Sequence, residues 1–161
     1  MFHILMNSWV LFDLGAQVEE IYGAKRLIIF YFVSSVLGFV ASTWWSPALS
    51  TGASAGICGL IGAMIALGVR SKTVLGSMIR GMYIRWAVYV LLFGLLPFFA
   101  IDNAAHMGGL AGGFMSAYVA KLPGESKPLE EKLLTVVAAL CVGVTALAFL
   151  QMFAWFAFTT Q

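Results

Sequence analysis

Charged side chains are scarce in this chain. Of its 161 residues only nine are Lys or Arg and seven are Asp or Glu, which makes 10% in all, whereas 61% are hydrophobic. Soluble domains contain about 25% charged and about 45–50% apolar residues. A chain of this length cannot bury so much apolar surface in a core of its own, so we expect lipid to be its solvent. The net charge of +2 is no indication of a nucleic-acid partner.

Residues that bind metals or form disulfides are equally few. Cys58 and Cys141 are the only cysteines, and both lie in apolar segments. This placement argues against a disulfide framework or a metal site. The sequence also contains no P-loop, no dinucleotide fingerprint and no Cys/His ligand spacing. We therefore expect neither a metal nor an organic cofactor.

Apolar runs of membrane-spanning length occupy most of the chain. Spanning helices need about 20 mainly apolar residues, and in lipid their backbone groups bond to one another. The sequence predicts an all-α, polytopic transmembrane bundle of six helices, over residues 1–18, 27–45, 46–69, 86–101, 103–120 and 133–161. A cytoplasmic linker over 122–132 is predicted to separate a membrane core, 1–121, from the last helix.

The basic residues predict how these helices are oriented. All nine fall in alternate predicted loops, which the positive-inside rule places in the cytoplasm. They are Lys25, Arg26, Arg70, Lys72, Arg80, Arg85, Lys121, Lys127 and Lys132. Met1 and Gln161 are then on the non-cytoplasmic side, and the compact loops indicate a bacterial plasma membrane. No signal peptide precedes the first apolar run, so an outside Met1 implies a further spanning helix upstream.

Small residues recur at helical spacing in the third and fifth predicted helices. They are Ala55, Gly59 and Ala63 on one helix and Ala105, Gly109 and Gly113 on the other. Residues four apart share a face, and faces of small residues allow helix backbones to approach closely in membranes. This packing would bring Ser54 within hydrogen-bond reach of His106, as a nucleophile and its general base require.

Other roles for these two residues stay open on spacing alone. A serine in an apolar helix commonly hydrogen-bonds to the backbone of its own helix, and a neutral histidine near a helix start is readily tolerated. Asp102 is adjacent to the fifth predicted helix and could orient His106, but it lies outside that helix and is not a convincing third member of a triad. A Ser–His dyad is therefore a simpler prediction than a triad.

Polar residues near the start of the chain form a second candidate group. His3 and Asn7 are four residues apart and therefore face the same way on a helix. Both side chains can donate hydrogen bonds to an oxyanion; the alternative is that His3 lies at a frayed end and has no role. Glu19 and Glu20, next to Gly23, are predicted to serve in a helix cap, a turn and ion pairs with the basic residues that follow.

Taken in chain order, these residues resemble the signatures of the rhomboid family of intramembrane serine proteases. The matching elements are His3 with Asn7, Glu19 with Gly23, Gly52 with Ser54, and Ala105 and His106 with Gly109 and Gly113. They correspond to the patterns His-x-x-x-Asn, Glu-x-x-x-Gly, Gly-x-Ser and Ala-His-x-x-Gly-x-x-x-Gly. The resemblance extends from residue 2 to about residue 120.

The resemblance implies a role for each motif. Ser54 would be the nucleophile and His106 the general base, while His3, Asn7 and the Ser54 backbone amide would form the oxyanion hole. The helix over 86–101 would correspond to the mobile substrate gate of the family. Substrates would be single-span membrane proteins, cleaved near the outer side of their transmembrane helix.

The chain departs from the family pattern in three places. The family's first transmembrane helix and the loop after it are missing, Cys58 stands where an aromatic often packs on the histidine, and Ala55 stands where glycine is frequent. In the gate helix, Gly94 and Pro97 would allow a bend.

One alternative function is a catalytically inactive rhomboid-like protein that binds transmembrane clients. Another is a small transporter, which the lack of an inverted repeat disfavours.

Overall fold

Six α-helices contain nearly all the residues that the computed structural model describes, which are 2–45, 52–96 and 101–159. They are α1 (Phe2–Tyr22), α2 (Ala24–Trp45), α3 (Ser54–Arg70), α4 (Val74–Phe93), α5 (Asn103–Val119) and α6 (Pro128–Thr159). The described chain is therefore all-helical, as predicted. Within these ranges two helices are long and apolar enough to cross a membrane, Ala24–Trp45 and Pro128–Phe158, while the apolar α3 is shorter, at 17 residues.

Local capping interactions determine where several helices begin and end. Gly23 has a positive φ of 80°, which ends α1 and allows α2 to start at the next residue. At the start of α4, Thr73 Oγ1 accepts a hydrogen bond from Gly76 N at 3.1 Å. At the start of α5, Asp102 Oδ1 accepts one from Ala105 N at 3.0 Å. Both caps satisfy amides that have no partner within the helix.

The central helix of the bundle is α3. Its residues are buried without a break from 55 to 66, and it packs most extensively on α5, then on α4, α2 and α1. In the described part of the chain α6 packs on α2 alone, and its buried side chains, Ala138 and Cys141, lie in its first half. The contact between α3 and α5 is therefore the main internal surface of the fold.

Two helices begin five or more residues before the apolar runs that predicted them. α4 starts at Val74, twelve residues before the predicted boundary at 86, so it contains Arg80 and Arg85, which the sequence places in a loop. Both arginines are exposed. A long cationic side chain on an outer face does not interrupt a helix, because its stem can lie along apolar surface. α6 likewise starts at Pro128, inside the predicted linker over 122–132.

The ion pairs near Gly23 differ from those expected. Lys25 and Arg26 bond to Glu131 on α6, at 3.3 and 2.5 Å, and Glu19 and Glu20 are exposed. The prediction of local pairing was wrong, because α6 returns to the start of α2 and brings a carboxylate from about a hundred residues away. The guanidinium of this pair is nearly fully buried, whereas the carboxylate is partly exposed.

Candidate active site

Ser54 is the first residue of α3. Gly52, with a positive φ of 116°, and Ala53, with near-helical angles, lead the chain into this helix. Glycine adopts such a positive φ at little cost, whereas other residues do not. The first amides of a helix have no partner within the helix and lie at its positive end. The half-buried Ser54 side chain therefore lies beside amides that can stabilise a negative charge.

His106 lies in the first turn of α5 and faces Ser54. Its side chain is buried, with 5% exposed, and its Nε2 is 2.9 Å from Ser54 Oγ. In the tautomer that carries its proton on Nδ1, Nε2 accepts the hydroxyl proton. The distance is in the range of a general base that activates a nucleophile. Chemically, the pair can generate an alkoxide for attack on a carbonyl.

Glycines bring α3 and α5 close enough for this hydrogen bond. A Cβ atom at Gly109 would overlap the carbonyl oxygen of Ala55, and one at Gly113 would overlap the carbonyl oxygen of Gly59. The two backbones are therefore in direct contact, with no side chain between them. The small-residue faces predicted from the sequence are the surfaces that meet here. The separation of the hydroxyl and the imidazole depends on this contact.

Asp102 fixes the start of α5, one turn before the imidazole. Its Oδ1 accepts a hydrogen bond from Ala105 N, and its Oδ2 accepts one from Ser42 Oγ on α2. Ser42 is buried and ties the end of α2 to the start of α5. Sequence reasoning overlooked it, although Ser34, Gly38 and Ser42 form a stripe at four-residue spacing, and all three are buried.

Comparison with known proteins identifies the family of this chain. The profile of the Rhomboid domain matches residues 1–123, which is more than half of the chain. The chain belongs to the rhomboid family. Members of this family are integral membrane proteins and include serine proteases that act on transmembrane substrates in the bilayer. The prediction of family from the four motifs is thereby confirmed.

Three curated relatives show how far the similarity extends. Rhomboid protease GluP of Bacillus subtilis (strain 168) is 32% identical over 142 residues, which are 88% of this chain and 28% of GluP. RHOMBOID-like protein 1 of Arabidopsis thaliana is 31% identical over 121 residues, 73% of this chain and 31% of that protein. Inactive RHOMBOID-like protein 8 of the same plant is 32% identical over 114 residues, which are 68% of this chain and 31% of that protein. The chain thus spans about a third of the length of these relatives. No solved structure matches it significantly.

Both rhomboid oxyanion candidates lie on α1. His3 is in its first turn, and the side chain of this residue is outside the described residues. Asn7 follows one turn later and is half-buried. Among the described residues, Asn7 makes no hydrogen bond to Ser54 or His106. The oxyanion role of His3 and Asn7 therefore stays a prediction.

The rhomboid Glu-x-x-x-Gly pair forms the end of α1. Gly23 N donates a hydrogen bond to the Glu19 backbone oxygen at 2.8 Å, and Gly23 has a φ of 80°. A left-handed residue after the last turn is a common way to satisfy a carbonyl at a helix end. The pair thus positions α2 relative to α1 through its backbone, with the Glu19 side chain exposed.

The predicted gate corresponds to the second half of α4. Gly94 caps this helix, and Asn103 at the start of α5 packs against it so closely that a Cβ at Gly94 would overlap the Asn103 amide. Asn103 Nδ2 also donates a hydrogen bond to the Leu91 oxygen at 3.1 Å. Pro97 lies outside the described residues. Asn103, which sequence reasoning missed, thus connects α4 to the helix that carries the imidazole.

The described residues contain no cluster of metal-binding side chains. Within the described ranges, no group of three or more His, Cys, Asp or Glu side chains could hold a metal ion. Cys58, one turn after Ser54, is buried and is a free thiol. It is one of the buried residues of α3.

Proposed function

We propose that this rhomboid chain is an intramembrane serine endopeptidase with a Ser–His dyad. The observation that carries the proposal is the 2.9 Å distance between Ser54 Oγ and His106 Nε2. A buried imidazole that reaches a hydroxyl at a helix N-terminus is the arrangement that nucleophilic catalysis requires. GluP, a similar chain over 88% of the present one, is named a rhomboid protease.

In the proposed reaction, His106 Nε2 removes the Ser54 hydroxyl proton as Oγ attacks the scissile carbonyl. The resulting oxyanion is stabilised by the Ser54 backbone amide and by His3 and Asn7, which α1 carries one turn apart. His106 then gives its proton to the leaving amine, and the acyl group stays on Ser54. Water, activated by the same imidazole, releases the acyl group and restores the hydroxyl.

We further propose that all six helices span the bilayer. The basic residues other than Arg80 and Arg85, which lie within α4, are then on the cytoplasmic side, and Met1 and Gln161 lie on the other side. Ser54 begins α3 at its non-cytoplasmic end, so cleavage occurs near the outer side of a single-span substrate. In this arrangement residues 1–121 form the membrane core, 122–132 a linker and 133–161 an additional helix. The host membrane is a bacterial plasma membrane.

A second candidate function is the binding of transmembrane helices without cleavage. The observation in its favour is that one relative, 32% identical over 68% of this chain, is named an inactive RHOMBOID-like protein. Such a protein needs the bundle but not the dyad. The two candidates differ in whether Ser54 reacts as a nucleophile.

The deciding experiment is labelling of the purified chain in liposomes with a fluorophosphonate, which reacts with activated serines. We expect the wild-type chain and Ser35→Ala to be labelled, and Ser54→Ala and His106→Ala not to be. Ser35 is a suitable control because its Oγ bonds to the Tyr31 oxygen of its own helix at 2.8 Å. Labelling that persists in Ser54→Ala contradicts the proposal. A wild-type chain that is not labelled favours the non-cleaving candidate.

A further inference from the structure

A cleft between α1 and α4 contains a polar group that the dyad does not use. Its volume is about 460 Å³, and its walls are apolar, with Met6 and Trp9 on α1 and Met82 and Trp86 on α4. These four side chains are exposed at the surface of the bundle. The cleft therefore opens on the face that we propose to be covered by lipid or by another transmembrane helix.

The two helices that form this cleft do not pack on each other. No pair of described residues from α1 and α4 has Cα atoms within 8 Å, whereas packed helices have axes about 8–10 Å apart. The described hydrogen bond that joins them runs from Tyr83 Oη to Gln17 Oε1, at 2.7 Å. Gln17 Nε2 in turn donates to Asp13 Oδ2 at 3.0 Å. Three polar side chains, two from α1 and one from α4, thus line an otherwise apolar cleft.

The two hydrogen bonds that connect Tyr83, Gln17 and Asp13 form a relay, and Asp13 is its unusual member. It lies near the middle of α1 and is exposed, and within the described ranges its Oδ1 accepts no hydrogen bond. An ionisable side chain in a spanning helix is energetically costly and commonly marks a functional site. The relay orients the carboxylate, since Tyr83 holds Gln17 and Gln17 holds Asp13. The carboxylate oxygen that remains can accept a hydrogen bond from a molecule in the cleft.

We propose that Asp13, Gln17 and Tyr83 form a subsite for a hydrogen-bond-donating side chain on a transmembrane substrate helix. The inference rests on the proposed function, because the bound helix is taken to be the substrate. The apolar walls fit a helix rather than a soluble ligand, and the open carboxylate oxygen selects a donor such as a carboxamide, a hydroxyl or an ammonium group. A purely apolar helix, or a lipid chain, would leave this oxygen without a partner.

The position of the subsite relative to Ser54 predicts where the donor lies in the substrate. Ile61, which contributes to the cleft, is seven residues after Ser54 on α3. At 1.5 Å per residue this is about 10 Å along the helix. A substrate helix that lies in the cleft parallel to α3 would therefore carry the donor about seven residues from the cleaved bond. The subsite would help to set which bond reaches the dyad.

Binding of model peptides tests this proposal without depending on catalysis. The probes are two synthetic transmembrane peptides with a Leu/Ala core of about 20 residues, each with an N-terminal dansyl group. They differ only at the central residue, which is Gln in one and Met in the other. These side chains have similar lengths, but only Gln donates a hydrogen bond. Affinity is measured in liposomes by energy transfer from the protein tryptophans to dansyl, with the full chain carrying Ser54→Ala.

We expect the Gln peptide to bind about threefold to tenfold more tightly than the Met peptide, as for hydrogen bonds between membrane helices. In Asp13→Leu the ratio of the two affinities falls to about one, and in the near-isosteric Gln17→Met it also falls. Met115→Leu, an exposed position on α5 that does not line the cleft, keeps the ratio of the parent chain. Circular dichroism shows that each variant is folded.

Three results would overturn the proposal. One is equal affinity of the two peptides for the Ser54→Ala chain, and another is an unchanged ratio in both Asp13→Leu and Gln17→Met. The third is that Tyr83→Phe raises binding of both peptides equally, because the relay then acts as a latch between α1 and α4. Failure of fluorophosphonate labelling removes the protease proposal but leaves this binding measurement intact, so the two failures are distinguishable.

Discussion

The hydroxyl of Ser42 on α2 donates a hydrogen bond to the carboxylate of Asp102, the residue that caps α5. Since Ser42 is buried, its removal leaves a carboxylate oxygen without this donor. We expect Ser42→Ala to lower stability by about 1–3 kcal/mol and to slow fluorophosphonate labelling of Ser54, because the start of α5 is less firmly placed. Thermal unfolding in detergent and labelling rates measure the two effects. Equal values for Ser42→Ala and the control Ser35→Ala would contradict this expectation.

Substitution of Gly113 tests whether backbone contact positions the dyad. A Cβ at Gly113 would overlap the Gly59 carbonyl oxygen, so Gly113→Ala must push α3 and α5 apart. Overpacking of this kind costs about 1–3 kcal/mol. Gly143→Ala on α6 is the matched control, because a Cβ there has nothing within 4 Å. We expect a lower unfolding temperature and weaker labelling for Gly113→Ala only, and similar behaviour of both variants would be evidence against the role of this contact.

The oxyanion assignment predicts a large kinetic effect of a small change on α1. Loss of one oxyanion donor typically lowers the rate roughly 10²–10³-fold, so Asn7→Ala and His3→Ala should each slow fluorophosphonate labelling by about this factor. Ser8→Ala, at the exposed position beside Asn7, should label at the wild-type rate. The unfolding temperatures of all three variants should stay close to that of the parent. Wild-type labelling rates in both Asn7→Ala and His3→Ala would eliminate the assignment.

Two neighbouring glutamates on α6 should differ in their contribution to stability. Glu131 pairs with Arg26, whose side chain is 4% exposed, whereas Glu130 pairs with Lys121, which is 48% exposed. A buried charge left without its partner is costly, so we expect Glu131→Gln to lower the stability of the chain clearly. Glu130→Gln should leave stability almost unchanged, because both members of the pair it breaks are exposed to solvent. Chemical unfolding in detergent gives both values, and a cost for Glu130→Gln that equals that of Glu131→Gln would contradict the prediction.

The sequence was most informative where local spacing determines structure. Small residues four apart predict a close helix contact, and the structure has such a contact between α3 and α5, with Ser54 and His106 beside it. The family followed from motifs in which two or more residues stand at fixed spacing. These features are local in sequence, so no knowledge of the tertiary arrangement is needed to recognise them.

Contacts between distant polar residues could not be predicted in the same way. Periodicity says which face of a helix is apolar, but it does not say that Glu131 meets Arg26 or that Ser42 meets Asp102. The start of α4 was also missed, because a run without charged residues indicates which segment lies in lipid and does not indicate where the helix begins. Arg80 and Arg85 therefore ended the predicted segment, although the helix continues through them.

The backbone contact between α3 and α5 also bears on how freely this chain can vary. Where main chain touches main chain, the geometry between Ser54 and His106 is set by atoms that every residue possesses. Substitutions on the outward face of α5, or on the outer faces of the helices that surround α3, leave that geometry unchanged. Most lipid-facing positions can therefore accept many different residues, whereas a few glycines cannot be substituted.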